Sequence, residues 1–442
     1  MAAPVRSFLS CLLRQNIAVR RLSSTSSTLP TIFEVREKIK SIVSASQAWT
    51  PGIQRSEEEK GTDTPIKQSD LAERTMKDSY SEAVIPLSDP LVREKYINHF
   101  STLRIGRLLE DLDTMGVFIS YKHNMPDPNQ KTSPLTIVTG LVDRLGKDRL
   151  GLVDRVGLVD RLDLFTKVVG IEHDLKLTGN VTWVGTSSLE VSMTVHRMND
   201  GSEEEIITTT FVNVARNSAN KKAAVCHPLK ATTPLEESLI TEGEQKKLLR
   251  QQRSRESLLK NAPTAYEREL VHNIFVDTLE PGVSSFSVRR MPPNSVWMDS
   301  TKLKNALLCF PQERNIHNKI FGGYLMRQAT EIAYTNAILF CRGRAYIRAV
   351  GNIQFKKPVE IGSVIFYSSE IAYVEDKYMQ IRVHTEVEDV KSGRRDTTNV
   401  FHFTIESDSA LPKVVPKTYG ESMLYLSGRR QFMNFKSRND DL

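Results

Sequence analysis

Two stretches of this chain repeat one another in order and spacing, and that repetition constrains the fold more than any other feature. Val181-Thr-Trp-Val-Gly-Thr-Ser-Ser-Leu-Glu-Val lies over Ile371-Ala-Tyr-Val-Glu-Asp-Lys-Tyr-Met-Gln-Ile at an offset of 190 (371 − 181), and Thr208-Thr-Thr-Phe-Val over Thr397-Thr-Asn-Val-Phe at 189 (397 − 208). Upstream, Arg104-Ile-Gly106-Arg-Leu-Leu lies over Ile320-Phe-Gly-Gly323-Tyr-Leu-Met at 217 (323 − 106). The first copy therefore carries about 28 extra residues (217 − 189) between these segments. Their source is a micro-repeat in 141–165, Leu-Val-Asp-Arg-Leu-Gly followed by Gly-Leu-Val-Asp-Arg-Val and Gly-Leu-Val-Asp-Arg-Leu. The recurrent glycines favour a surface loop there over a longer strand.

Within each copy the period changes from helix to strand. Leu108, Leu109, Leu112, Met115 and Val117–Ile119 recur at helical spacing, on a helix buried on much of its surface. Leu189, Val191, Met193 and Val195 alternate with Glu190, Ser192, Thr194 and His196, the pattern of a half-buried strand, and 206–215 reads likewise. One helix followed by long antiparallel strands is an α+β layer whose sheet wraps its helix. A single such sheet leaves a face open, so two tandem copies predict a pseudo-dimer with sheets that join or face each other, and sites at the junction. The expected order is a targeting segment (1–33), a polar N-terminal segment (34–83), the first copy (84–233), a helical connector (234–280), the second copy (281–410) and a C-terminal tail (411–442).

Charge is informative through its placement. The chain has 60 Lys and Arg against 53 Asp and Glu, a net charge of +7. Residues 1–33 hold Arg6, Arg14, Arg20 and Arg21 with no acid, interspersed with apolar residues and followed by a Ser/Thr run, the composition of a mitochondrial transit peptide. A secretory signal fits less well, because Arg14 interrupts the apolar stretch and no small-x-small site follows; a plain basic tail is the remaining reading. Removing the segment leaves 56 basic against 53 acidic residues, little for a polyanion-binding protein. The connector's Lys246, Lys247, Arg250, Arg253, Arg255 and Lys260 have no interleaved aromatic residue for base stacking, so they read as a solvated helix face rather than a nucleic-acid surface. No apolar run approaches the roughly 20 residues of a transmembrane helix. Cys11, Cys226, Cys309 and Cys341 lack the spacing of a zinc or disulfide framework.

In the second copy, Pro311-Gln-Glu-Arg-Asn315-Ile-His317-Asn-Lys-Ile-Phe-Gly322-Gly323 runs directly into an apolar helix, Tyr324 to Leu339. Two glycines at a helix start allow a ligand close to the backbone, where free N–H groups favour an oxyanion. They equally allow close packing of helix against sheet, and both readings stand. His317 is either a base or a polar loop residue.

Here the sequence resembles the acyl-coenzyme A thioesterases with tandem hotdog domains, in their mitochondrial type. The resemblance is carried by Glu313-Arg-Asn-Ile-His-Asn-Lys-Ile-Phe-Gly-Gly-Tyr-Leu-Met-Arg, Asn352-Ile-Gln-Phe-Lys-Lys-Pro-Val-Glu-Ile-Gly-Ser, Thr397-Thr-Asn-Val-Phe-His-Phe and Tyr419-Gly-Glu-Ser-Met-Leu-Tyr-Leu, and spans roughly 75–430. It implies that 84–233 and 281–410 are hotdog domains, each a long helix wrapped by an antiparallel sheet. It also implies hydrolysis of acyl-CoA to fatty acid and coenzyme A in the mitochondrial matrix without metal or cofactor, by a homo-oligomer such as a trimer of double-hotdog chains. In the family, an Asn eight positions before the second glycine of one domain works with an acid seven positions after the matching glycine of the other. By position these are Asn315 and Asp113. The reciprocal pair is Asn98 and Thr330; Thr330 cannot ionise, and Glu331 points about 100° away around the helix. One competent site and one degenerate site are expected.

Thioester hydrolysis needs an activated water and a stabilised oxyanion. The resemblance makes Asp113 the general base or, as a second option, a nucleophile. Asn315 would orient water or carbonyl, and the Gly322 and Gly323 amides would hold the oxyanion. Coenzyme A phosphates would call on Arg348, Lys356, Lys357 and the Thr186 and Ser187 turn; a charged sheet edge and an ordinary hairpin are the competing readings. Two other functions remain open, an inactive acyl-CoA binding scaffold and a hotdog dehydratase using His317 or His99.

Overall fold

A computed structural model of the chain describes residues 29–42, 67–125, 133, 135–146, 170–199, 201–217, 223–282, 285–315, 318–355 and 357–437. The first half contains α1 (Ile32–Ile42), α2 (Met76–Ser79), β1 (Ser81–Ile85), α3 (Pro90–Arg93), α4 (Ile105–Asn124), β2 (Leu135–Gly146), β3 (Leu175–Val184), β4 (Ser188–Asn199) and β5 (Ser202–Asn217). Helices α5 (Pro234–Arg255) and α6 (Ala265–Val276) connect it to the second half. That half has β6 (Ser295–Trp297), β7 (Leu303–Leu308), α7 (Gly322–Cys341), β8 (Ala345–Gln354), β9 (Val364–Glu375), β10 (Tyr378–Glu388), β11 (Arg395–Ser407), β12 (Lys413–Val415) and α8 (Tyr419–Lys436).

Ten strands form one sheet in the order β1-β3-β4-β5-β2-β8-β11-β10-β9-β7. Read outward from the β2–β8 junction, the order is the same in both halves. The two copies thus join edge to edge: β2 and β8 pair antiparallel, with Leu141 opposite Gln354 and Leu145 opposite Val350. Each half is a helix laid across its own antiparallel strands, the α+β pseudo-dimer the repeat predicts and the double-hotdog architecture the resemblance implies. Leu108, Leu109, Leu112, Met115 and Ile119 of α4 are fully buried, as are the inward residues Leu189, Val191 and Val195 of β4, so the periodicities mark the core faces.

Helices α4 and α7 cross antiparallel at the centre. A Cβ on Gly323 would lie 2.9 Å from Glu110 Cα, and one on Gly106 would lie 3.3 Å from Arg327 Cα. Position pairs 106/323 and 110/327 share the 217-residue offset, so the two close approaches are pseudo-two-fold equivalents. Between them the Arg327 Nε lies 3.1 Å from the Glu110 carboxylate.

The structure departs from the sequence reading at four places. Of the micro-repeat, Leu141–Gly146 is the end of β2, because β8 offers an edge to pair with; the rest, 147–165, lies outside the described residues. The division between residues 83 and 84 falls inside β1, whose Ala83 and Ile85 are both buried, and α1 places Ile32, Val35 and Ile39 in the core, so a division between residues 33 and 34 falls inside that helix. The C-terminal stretch is not a tail: α8 lies on the outer side of β9 and β10, with Phe432 buried against Tyr373 and Tyr378. The connector's basic face is partly spent internally, since Lys246 and Arg250 approach the buried Glu190 carboxylate at 3.4 and 3.3 Å. Among the described residues no helix is long and apolar enough to cross a membrane.

Candidate active site

Asp113 sits midway along α4, where the apolar stripe around it keeps the helix buried on nearly all sides. The residue is 1% exposed. Oδ2 accepts the Gly323 N–H of α7 at 2.7 Å, and Oδ1 accepts the Thr139 hydroxyl of β2. Burial pushes the carboxyl up to about 6, against the opposing pull of those two hydrogen bonds, and the neighbouring Glu110 adds a smaller push upward. A group in that range is ionised at neutral pH yet basic enough to take a proton.

The Gly322-Gly323 pair serves packing and site together. Phe321 is the N-cap and Gly322 the first helical residue. A Cβ on Gly323 would strike the Phe321 ring at 2.6 Å as well as Glu110, and a Cβ on Gly322 would stand 3.2 Å from Asp113 Oδ2. Only glycine lets the Asp113 carboxylate reach the start of α7. The Gly323 amide is engaged by Asp113, a role different from the oxyanion donor expected of it. The Gly322 N–H belongs to the first turn of α7, whose N–H groups have no partner within the helix.

Asn315 lies half-buried in the turn that leads into α7. Its Oδ1 accepts the Lys319 N–H at 3.1 Å, and Asn318 takes a left-handed φ of 57° to close the loop. The Glu313 carbonyl accepts the Phe321 N–H at 2.9 Å, tying the base of the turn to the helix start that holds Asp113. Arg327 spans the same junction, 3.1 Å from Glu110 and 4.0 Å from Glu313, with its guanidinium over the Tyr324 ring.

The reciprocal crossing keeps an Asn but lacks the acid. Asn98 Nδ2 donates to Thr102 Oγ1 at 2.6 Å, and its Oδ1 accepts the Phe100 and Thr102 N–H groups at 2.9 and 3.1 Å. The Thr330 hydroxyl donates to the Met326 carbonyl at 2.7 Å, and Glu331 pairs with Arg104. The remaining candidates are engaged elsewhere. Arg348 pairs with Glu406 on the adjacent strand, and Lys357 with Asp396 at 2.9 Å. Thr186 and Ser187 lie in the β3–β4 hairpin turn, closed by the Gly185 N–H donating to the Ser188 carbonyl at 2.7 Å, and their own carbonyls accept the Cys226 and Ala215 N–H groups at 2.9 and 2.8 Å. Lys356 and His317 lie outside the described residues. Thr139, Glu110 and Arg327 were not legible as site residues: Thr139 meets Asp113 only because β2 passes beneath α4, and the charged pair meets only at the helix crossing.

No protein-family model matches the chain. Human mitochondrial acyl-coenzyme A thioesterase 9 is 45% identical over 404 residues, covering 91% of this chain and 88% of that protein. The chain belongs to the acyl-coenzyme A thioesterase family. Mouse mitochondrial acyl-coenzyme A thioesterase 10 is 42% identical over 410 residues, 92% of this thioesterase-family chain and 89% of that protein. A solved acyl-CoA hydrolase from Staphylococcus aureus matches 33% of the chain and 93% of its own at 24% identity with a TM-score of 0.32, too loose an overlay to argue from.

Proposed function

We propose that this acyl-CoA thioesterase converts acyl-CoA and water to fatty acid and coenzyme A in mitochondria, at a composite site contributed by both hotdog units (84–233 and 281–410). The observation that carries the proposal is a buried carboxylate in one half, pushed up to about 6, hydrogen-bonded to the first turn of the central helix of the other. Ionised Asp113 takes a proton from water as the water oxygen attacks the thioester carbonyl. The charge that develops on the carbonyl oxygen meets the positive end of α7 at the Gly322 N–H, while the Gly323 N–H keeps Asp113 aimed. Asn315 holds the water or carbonyl from the preceding turn. The tetrahedral intermediate collapses by breaking the C–S bond, and Asp113 returns its proton to the departing thiolate. For Arg348 and Lys357 to hold coenzyme A phosphates, they would exchange Glu406 and Asp396 for them. Self-association as a trimer of double-hotdog chains belongs to the same reading, and light scattering on the purified protein measures it directly.

Release of free thiol from acyl-CoA tests the assignment. Asp113→Asn and Asn315→Ala are expected to abolish release while the protein stays folded. Wild-type rates in both variants would remove the composite site.

A further inference from the structure

The reciprocal helix crossing has lost its acid but not its space. A cavity of about 310 Å³ opens there, bounded by Asn98, Gly106 and Thr330. These are the positions that correspond to Asn315, Gly323 and Asp113. Its wall is mainly apolar, from Ile97, Leu103, Ile105, Tyr334 and Ile347, with the half-exposed Arg104–Glu331 pair on its rim. The volume is at the small end for a ligand pocket, with room for an acyl chain though not for a whole nucleotide.

We propose that this cavity binds the acyl chain of a second acyl-CoA molecule and does not hydrolyse it. Catalysis is disabled by the loss of the acid: Thr330 has no proton-accepting carboxylate and spends its hydroxyl on the Met326 carbonyl. Binding does not need that acid. It needs an apolar slot beside the crossing, and small residues at Gly106, Ala345 and Thr335 keep that slot open where larger ones would close it. A crossing retained only for packing would gain by filling the space, because an unfilled apolar cavity lowers stability. The ligand class follows from the pseudo-symmetry: the slot stands to Gly106 and Thr330 as the catalytic site stands to Gly323 and Asp113. The inference rests on the proposed composite site, and its test is independent of turnover.

Titration calorimetry of the full chain with a non-hydrolysable thioether analogue of acyl-CoA should give two equivalents per chain in the wild type. Ile347→Trp, which fills the slot from the sheet, and Thr335→Trp, which fills it from the exposed side of α7 without disturbing the core, should each give one. Fewer than two equivalents in the wild type, or two retained in either folded variant, would overturn the inference. So would a second equivalent taken up by free fatty acid but not by the analogue. Failure of the catalytic assignment shows separately, as thiol release insensitive to Asp113→Asn.

Discussion

On the proposed mechanism Asp113 couples chemistry to stability through one proton. In the unfolded chain its carboxyl ionises at the ordinary 3.8, whereas in the folded protein burial holds the proton to about 6. The folded state therefore binds protons more tightly across that window, and stability falls as pH rises through it, the full cost being present above 6. A gap of two units corresponds to at most about 3 kcal/mol. Asp113→Asn should accordingly melt higher than wild type at pH 7.5, with a difference that shrinks to nothing below pH 4, while thiol release is lost throughout; equal melting temperatures at pH 7.5 would mean that the carboxylate carries no burial cost. The wild-type pH–rate profile should lose kcat/KM on its acid side with a midpoint near 6, since the base must be ionised. Thr139→Val removes a donor that favours the ionised form, so its acid limb should move to higher pH by a fraction of a unit. Asp113 itself was legible in the sequence, because its distance from Gly106 is local counting along one helix. Thr139 was not, since it lies 26 residues further on, on a strand that only the folded sheet brings to α4.

At the scale of elements, the central crossing requires two unlike halves. Glu110 and Arg327 occupy equivalent positions under the 217-residue offset, so two identical copies would set like charges against each other where this chain sets an ion pair. Both side chains are largely buried, and removing one partner strands the other. Gly323→Ala tests the crossing sterically: its Cβ must push Glu110 or the Phe321 ring aside, and a loss of about 1–3 kcal/mol in chemical denaturation is expected together with impaired turnover. Helix α1 has a comparable anchor, because Arg36 lies 2.6 Å from Asp111, which is wholly buried and also accepts the Tyr96 hydroxyl. Arg36→Ala should cost about 3 kcal/mol by removing the cation bonded to that buried carboxylate, and retention of wild-type stability would show that α1 is only laid on the surface. The long helices and strands were legible because their faces are buried over many residues and the period has room to register. Strand β1 was not: five residues reading Ser-Glu-Ala-Val-Ile alternate too briefly to stand out from the polar stretch around them. Helix α8 reads as a tail for a different reason, since it buries aromatic residues against the outer face of a sheet that exists only once both halves have formed.

For the whole molecule, the β2–β8 junction makes one sheet of ten strands, and the Asp113 carboxylate of one half is held by the helix of the other. The mitochondrial reading has to respect this architecture at its N-terminus. Ile32 is fully buried, and the Val84 N–H donates to the Pro30 carbonyl at 2.9 Å, so a presequence can be removed without loss to the fold only if cleavage falls at or before residue 29. The junction also bears on cooperativity. Halves that share backbone hydrogen bonds, a buried ion pair and a packed helix crossing cannot separate without exposing all three, so unfolding should proceed as one transition rather than two. Two tryptophans report on this from opposite sides: Trp183 at the end of β3, its indole N–H donating to Glu244 of α5 at 3.0 Å, and Trp297 in the second half, stacked with Arg289 and Lys417. In variants with either Trp183 or Trp297 as the sole tryptophan, the others replaced by Phe, the denaturant dependence of fluorescence measures each half separately. After each variant's own stability is fixed by circular dichroism, both fluorescence midpoints are expected to coincide with it. Midpoints that separate, with one half losing its signal while the other keeps it, would show that the repeat folds as two independent units and that the junction contributes little to holding Asp113 against α7.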